Sequence, residues 1–212
     1  MVLGGGCELV MQSSAIQASG ETYIGLVEVG VGLIPAGGGV KEMTIRALDR
    51  IKGTTAFTVD FIKPYLQYIG TARVSSSAKE AQKLGYIKPT DGITLNNDLL
   101  LADAKKKVLE LVEKGYIPPV SKSFPAPGIN DNALASMEAK VMLDAGMVSE
   151  YDLHLFKKLL YIMTGGNVTK GSIITEQYLL DLEREAFVDL CKERKTQERI
   201  EHMLTKGKPL RN

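Results

Sequence analysis

The sequence predicts an α/β chain that has a few short strands and a predominantly helical C-terminal half. Glycine clusters and short runs of Val and Ile alternate over the first 35 residues, which favours brief strands and tight turns. Four prolines then fall within ten residues, at 118–127, which excludes a helix there. Beyond them, apolar residues recur at helical spacing almost to the end of the chain.

The first half is expected to alternate short strands with helices. Strands or extended turns are expected over 15–35 and a helix over 38–50. A helix interrupted at Pro64 is expected over 54–70. Ser76 or Ser77 should cap a helix that Gly85 ends, and Asp98 should open a helix with one apolar face. That face comprises Leu101, Ala104, Val108, Leu111 and Val112.

The Pro-rich stretch divides the chain. We expect a first region over 1–117, an extended connector over 118–130 and a helical region over 131–212. In the last region the predicted helix caps are Asp131, Ser149 with Asp152 in a capping box, and Thr175.

Composition narrows the range of functions. The 212 residues are 44% hydrophobic and 24% charged, which is typical of a globular chain, and the net charge of +1 indicates neither a nucleic-acid nor an anionic-membrane partner. The two cysteines, Cys7 and Cys191, are too few for a disulfide framework, so a reducing, cytoplasmic location is expected. No run of apolar residues is long enough to span a membrane.

The candidate site lies near the N-terminus. Gly4, Gly5 and Gly6 leave the backbone amides open to a ligand, and Glu8 and Glu28 stand among apolar residues, where burial raises a carboxyl pKa. Amide donors and two such acids suit chemistry at a carbonyl group. Each feature also has a structural explanation: a tight junction for the glycines, a helix-dipole contact for Glu8 and an ion pair for Glu28.

No cofactor site is predicted in this chain. Gly30 and Gly32 do not form a dinucleotide fingerprint, because Pro35 replaces the last glycine and no βαβ unit surrounds them. Nothing resembles a Cys/His metal cluster.

Three segments carry a resemblance to a known family. Leu-Gly-Gly-Gly-Cys-Glu-Leu at 3–9, Glu-Val-Gly-Val-Gly-Leu-Ile-Pro-Ala-Gly-Gly-Gly at 28–39 and the segment 76–87 resemble the enoyl-CoA hydratase branch of the crotonase superfamily. The stretch 176–185 and the last residues, 206–212, resemble the end of bacterial two-function proteins that join a 3-hydroxyacyl-CoA dehydrogenase to a hydratase. The resemblance implies a crotonase-like fold truncated at the N-terminus and a role in fatty-acid β-oxidation.

The resemblance also implies a role for each site residue. The Gly5 amide would belong to the oxyanion hole for the thioester oxygen of a 2-enoyl-CoA, and Glu8 and Glu28 would hold the attacking water and move its protons. The amide of Ala36 would help to position that water. CoA enters only as part of the substrate, and NAD is expected only in the missing dehydrogenase part.

The chain begins inside the glycine motif, so we expect a fragment that hydrates enoyl-CoA weakly or not at all without the missing N-terminal part of the protein. Unpaired strand edges in 2–35 favour a homo-oligomer. Two alternatives are a non-catalytic helical assembly fragment and a crotonase-like isomerase or hydrolase.

Overall fold

A computed structural model describes residues 1–50 and 58–212. The α-helices in these ranges are α1 Gly5–Met11, α2 Gly39–Asp49, α3 Thr58–Gly70, α4 Ala78–Leu84, α5 Leu100–Glu113, α6 Ile129–Asp144, α7 Glu150–Met163, α8 Glu176–Lys192 and α9 Arg194–Lys206. Two 3-10 helices cover Glu28–Val31 and Asn97–Leu99. Among the described residues, no helix combines the length and the apolar character that crossing a bilayer requires.

The strands are short and pair two by two. They are β1 Val2–Leu3, β2 Gln17–Ser19, β3 Ile24–Gly25, β4 Gly92–Thr94, β5 Ser123–Pro125 and β6 Ile173–Thr175. Strand β1 runs parallel to β3 and β2 parallel to β4, whereas β5 and β6 are antiparallel, with Ser123 opposite Thr175. The last pair joins the Pro-rich segment to the helical region, so the segment is packed against the fold.

Helices α2, α3 and α7 form the centre of the core, and α8 packs against α2 and α7. Their buried apolar side chains include Met43, Ile69 and Leu159. Helices α3 and α7 approach closely at Gly70, where a methyl group would lie only 1.9 Å from a ring carbon of Phe156. The C-terminal helices are therefore packed directly on the half of the chain that carries the candidate site.

Local signals predicted several helix starts correctly. Ser77 accepts a hydrogen bond from the Glu80 N–H, Ser149 and Asp152 form a capping box, and Thr175 caps α8. These caps depend on contacts within one turn, so the sequence alone contains the signal.

Three local expectations were wrong. Helix α6 begins at Ile129 after Gly128, so Asp131 is not its cap. Helix α3 continues through Pro64 to Gly70, held by the buried side chains of Ile62 and Ile69, and the predicted start of this helix falls at residues outside the described ranges. Asp98 lies within the 3-10 helix Asn97–Leu99 and α5 begins at Leu100, so Asp98 does not open that helix, none of whose side chains is buried.

Candidate active site

All four residues predicted to form a site line one cavity of about 680 Å³. Gly5 and Glu8 come from the start of α1, Glu28 from the first 3-10 helix and Ala36 from the turn before α2. One wall is formed by α8, through Gln177, Leu180, Asp181, Arg184 and Phe187. The cavity therefore lies between the N-terminal motif and the C-terminal helical region.

Glu8 is held in place by the turn that precedes α2. Its side chain lies in the first turn of α1 and is 8% exposed. The Oε1 atom accepts hydrogen bonds from the Gly37 N–H at 2.8 Å and from the Gly39 N–H at 3.0 Å. Two amide donors on one oxygen fix the orientation of the carboxyl group.

Glu28 is in the opposite situation. Both of its carboxyl oxygens are buried, and neither has a hydrogen-bond partner among the described residues. Burial raises the pKa of this carboxyl, the amides of Glu28 and Val27 lower it and the negative charge of Glu8 raises it, so that the pKa is about 7. A carboxyl with such a pKa exchanges protons near neutral pH.

The carboxyl groups of Glu28 and Glu8 lie next to two consecutive residues, Gly4 and Gly5. A methyl group at Gly4 would lie 3.5 Å from Oε1 of Glu28, and one at Gly5 would lie 3.8 Å from Oε2 of Glu8. Gly4 also has a φ of 58°, a conformation that side-chain-bearing residues rarely adopt. The glycines thus keep the space between the two acids open.

The Gly5 amide opens α1 next to these acids. The first N–H groups of a helix have no acceptor within the helix, so such a group is free to bind a ligand oxygen.

Cys7 also lies in α1, directly before Glu8. Its side chain is fully buried, and burial raises the pKa of its thiol to about 12. Its environment is therefore unsuitable for a thiolate nucleophile.

Sequence reasoning missed one residue of this region. Glu183 on α8 is fully buried and accepts hydrogen bonds from the Gly38 and Lys41 N–H groups. It follows Leu179 by four positions and precedes Ala186 by three, so it lies on the apolar face of α8. A charged residue at an otherwise apolar position of the predicted helix was the signal in the sequence that could have identified Glu183.

No protein-family model matches the sequence. The chain is 44% identical over 212 residues to a probable 3-hydroxyacyl-CoA dehydrogenase of Bacillus subtilis (strain 168), covering 100% of this chain and 26% of the relative. It is 32% identical over 200 residues to a putative fatty acid oxidation complex trifunctional enzyme of Rickettsia felis, covering 94% of this chain and 24% of that relative. The chain thus spans about a quarter of the length of these curated relatives.

Solved structures share the fold at low sequence identity. The carnitinyl-CoA hydratase of Mycobacterium avium superposes with a TM-score of 0.54 at 18% identity, over 99% of this chain and 58% of that structure. An enoyl-CoA hydratase/isomerase of Pseudoalteromonas atlantica T6c superposes with a TM-score of 0.51 at 13% identity, over 100% of this chain and 60% of that structure. These likenesses confirm the fold class predicted from the sequence. The chain has the crotonase-like fold of the enoyl-CoA hydratase and isomerase structures.

Proposed function

We propose that this chain supplies the acid and base groups of an enoyl-CoA hydratase, which adds water to a 2-enoyl-CoA to form a 3-hydroxyacyl-CoA. The observation that carries the proposal is the pair Glu8 and Glu28 in one cavity, with Glu28 buried and unpartnered among the described residues. A structural ion pair at Glu28 would have needed a basic partner. Its bare oxygens instead suit a group whose partners are water and substrate.

In the proposed reaction a water molecule lies between the two carboxyl groups. Glu8, as the carboxylate, takes a proton from the water while the water oxygen bonds to the β-carbon of the enoyl group. The electron pair of the double bond moves onto the thioester oxygen, and the protonated Glu28 then donates its proton to the α-carbon. A Glu28 pKa of about 7 keeps a substantial protonated fraction at neutral pH.

The charge on the thioester oxygen needs hydrogen-bond donors. The Gly5 N–H at the cavity wall is proposed as one of them, and a second amide would come from a segment outside this chain. The Ala36 N–H, from the turn before α2, would hold the water. Alanine is compatible with this role because only its backbone is used.

The relatives are about four times longer than the matched region, so we propose that the chain works as one section of a multifunctional β-oxidation protein. Its NAD site would lie in another section. The acyl-CoA substrate would enter the cavity beside the apolar side chains of Leu180 and Phe187 on α8.

A chimaera tests this proposal. Residues 1–212 replace the matching section of the Bacillus subtilis relative, and formation of 3-hydroxybutyryl-CoA from crotonyl-CoA is followed by chromatography. We expect Glu8→Gln and Glu28→Gln each to lower kcat by roughly 10²- to 10⁴-fold, the usual contribution of a general acid or base. The exposed Glu21→Gln is the matched control and should leave kcat unchanged.

The same assay separates the alternatives. Hydration that survives Glu8→Gln at the full rate would contradict the two-acid mechanism. If Glu28→Gln abolishes double-bond isomerisation and leaves hydration unchanged, the result would favour an isomerase, which needs a single acid. The isolated 212-residue chain is expected to hydrate crotonyl-CoA much more slowly than the chimaera, because it has one proposed oxyanion donor.

A further inference from the structure

A third buried carboxyl group contacts the turn that holds Glu8. Glu183, from the C-terminal region, accepts a hydrogen bond from the Gly38 N–H at 2.9 Å and another from the Lys41 N–H at 2.5 Å. Its side chain is 0% exposed. The two N–H groups lie at the start of α2, where amides lack acceptors within the helix.

Glu8 and Glu183 bind the same short stretch in alternation. The amides of Gly37 and Gly39 donate to Glu8, whereas those of Gly38 and Lys41 donate to Glu183. Because consecutive amides donate to different carboxyl groups, the turn cannot shift towards one acid without stretching the hydrogen bonds to the other. The two side chains are therefore coupled through the backbone.

We propose that Glu183 is a positioning residue that holds the Gly37–Lys41 turn, and through it Glu8, in the geometry for catalysis. The role of Glu8 in this statement rests on the hydratase function proposed above. Glu183 itself acts only through the turn, since it is not among the residues that line the cavity.

The environment of Glu183 supports this role. Burial raises the pKa of its carboxyl, the amides of Lys41 and Gly38 and the positive charge of Lys41 lower it, and the negative charge of Glu8 raises it, so that the pKa is about 8. An acid in such a place is costly, and an apolar side chain on this face of α8 would pack without that cost. The ammonium group of Lys41 does not neutralise it by contact, because that group binds Glu42 at 2.7 Å and Glu176 at 3.4 Å.

Amide hydrogen exchange on the 212-residue chain, read by NMR, is the direct test. Glu183→Gln leaves one acceptor oxygen for two N–H groups, so the turn should loosen. We expect exchange to rise about tenfold at Gly37 and Gly39, which Glu183 does not touch, as for the loss of one hydrogen bond. Glu185→Gln, two residues further along α8 and exposed, is the control and should change neither amide.

The reciprocal variant keeps the test decisive if Glu183→Gln does not fold. Glu8→Ala, which removes the oxygen that accepts from the Gly37 and Gly39 N–H groups, should raise exchange at Gly38 and Lys41, which Glu8 does not touch, because coupling between two sites acts in both directions. Unchanged exchange at Gly37 and Gly39 in Glu183→Gln, or at Gly38 and Lys41 in Glu8→Ala, would overturn the proposal.

Kinetics of the chimaera show whether the coupling reaches the reaction. Glu183→Gln should lower kcat about tenfold with an unchanged KM for crotonyl-CoA, and should add nothing in a Glu8→Gln background, since both changes disturb one unit. An additive loss in the double variant would show a general structural effect and contradict the proposal. A chimaera with no activity in any variant would overturn the hydratase function alone, because the exchange measurement on Glu183 does not depend on turnover.

Discussion

Glu8 and Glu28 are chemically identical side chains that the fold places in different environments. Glu8 has two amide donors on one oxygen, whereas the oxygens of Glu28 have no partner among the described residues. Pairs of acids with such unequal surroundings suit the separate roles of base and acid. The unpartnered Glu28 should also reduce the stability of the folded chain.

Glu28→Gln is expected to stabilise the chain in a pH-dependent way. The folded pKa is raised from 4.5 to about 7, so the folded state holds this proton more tightly than the unfolded state and stability falls as pH rises between these values. At about pH 8 the variant should be more stable by about 3 kcal/mol, and at about pH 5 by less than about 1 kcal/mol. Urea unfolding at the two pH values measures the difference.

Glu21→Gln is the matched control, because that side chain is exposed and its replacement should change stability equally little at both pH values. A Glu28→Gln variant that is less stable than the natural chain at about pH 8 would show that the carboxylate has a stabilising partner.

At the scale of elements, the sequence predicted what depends on neighbouring residues. The caps at Ser149 and Thr175 and the glycine-rich turn before α2 were foreseen because their signals lie within a few residues. The 3-10 helix at Glu28–Val31 was not foreseen, since the alternation of Val and Gly there also fits a strand. Contacts over long separations, such as Glu183 with Gly38, have no local signal at all.

The turn before α2 offers a prediction at this scale. A methyl group at Gly39 would lie 2.6 Å from Cβ of Pro35 and 2.9 Å from Oε1 of Glu8, so Gly39→Ala should push these groups apart. We expect a loss of about 1–3 kcal/mol in the free energy of unfolding, as for other overpacked sites. Hydration by the chimaera should fall as well, because Glu8 is displaced.

Gly30→Ala is the control for that change. Gly30 belongs to the 3-10 helix that carries Glu28, and a methyl group there meets nothing within 4 Å. This variant should be neutral or more stable by up to about 1 kcal/mol, through a smaller entropy of the unfolded chain. Equal unfolding free energies for both variants would contradict the packing around Gly39.

On the scale of the whole molecule, the last helices return to the N-terminal site. Glu183 on α8 binds the turn next to Glu8, and Thr196 on α9 donates a hydrogen bond to the Gly32 carbonyl at 2.6 Å, directly after the 3-10 helix of Glu28. The predicted regions 1–117 and 131–212 are thus joined through buried polar contacts. Whether they unfold together depends on how firmly α9 is attached.

The attachment of α9 depends on Arg199, which is 0% exposed. Its guanidinium group donates to Asp152 at 2.8 Å and to the Asn212 side chain at 2.8 Å, and it stacks over the Tyr151 ring at 5.0 Å. Although burial raises the pKa of the Asp152 carboxyl, its hydrogen bond with Arg199 and the amide of Ser149 hold that pKa below its ordinary value. The pair therefore stabilises the fold above the ordinary Asp pKa, and its contribution is lost as pH falls through the lower folded value.

Arg199→Met should consequently destabilise the whole chain at neutral pH by about 3 kcal/mol, because it leaves the buried Asp152 carboxylate with the Ser149 amide and, among the described residues, with the half-exposed Arg211 as its one charged partner. Arg194→Met removes an exposed pair with Glu198 on the same helix and should change the free energy of unfolding far less, because solvent screens that pair. Urea unfolding followed by circular dichroism compares the two. In Arg199→Met we expect a single transition at lower urea, since α9 is part of the common core. A separate early transition that leaves the exchange of the Gly37 and Gly39 amides unchanged would show instead that α9 unfolds independently of the site.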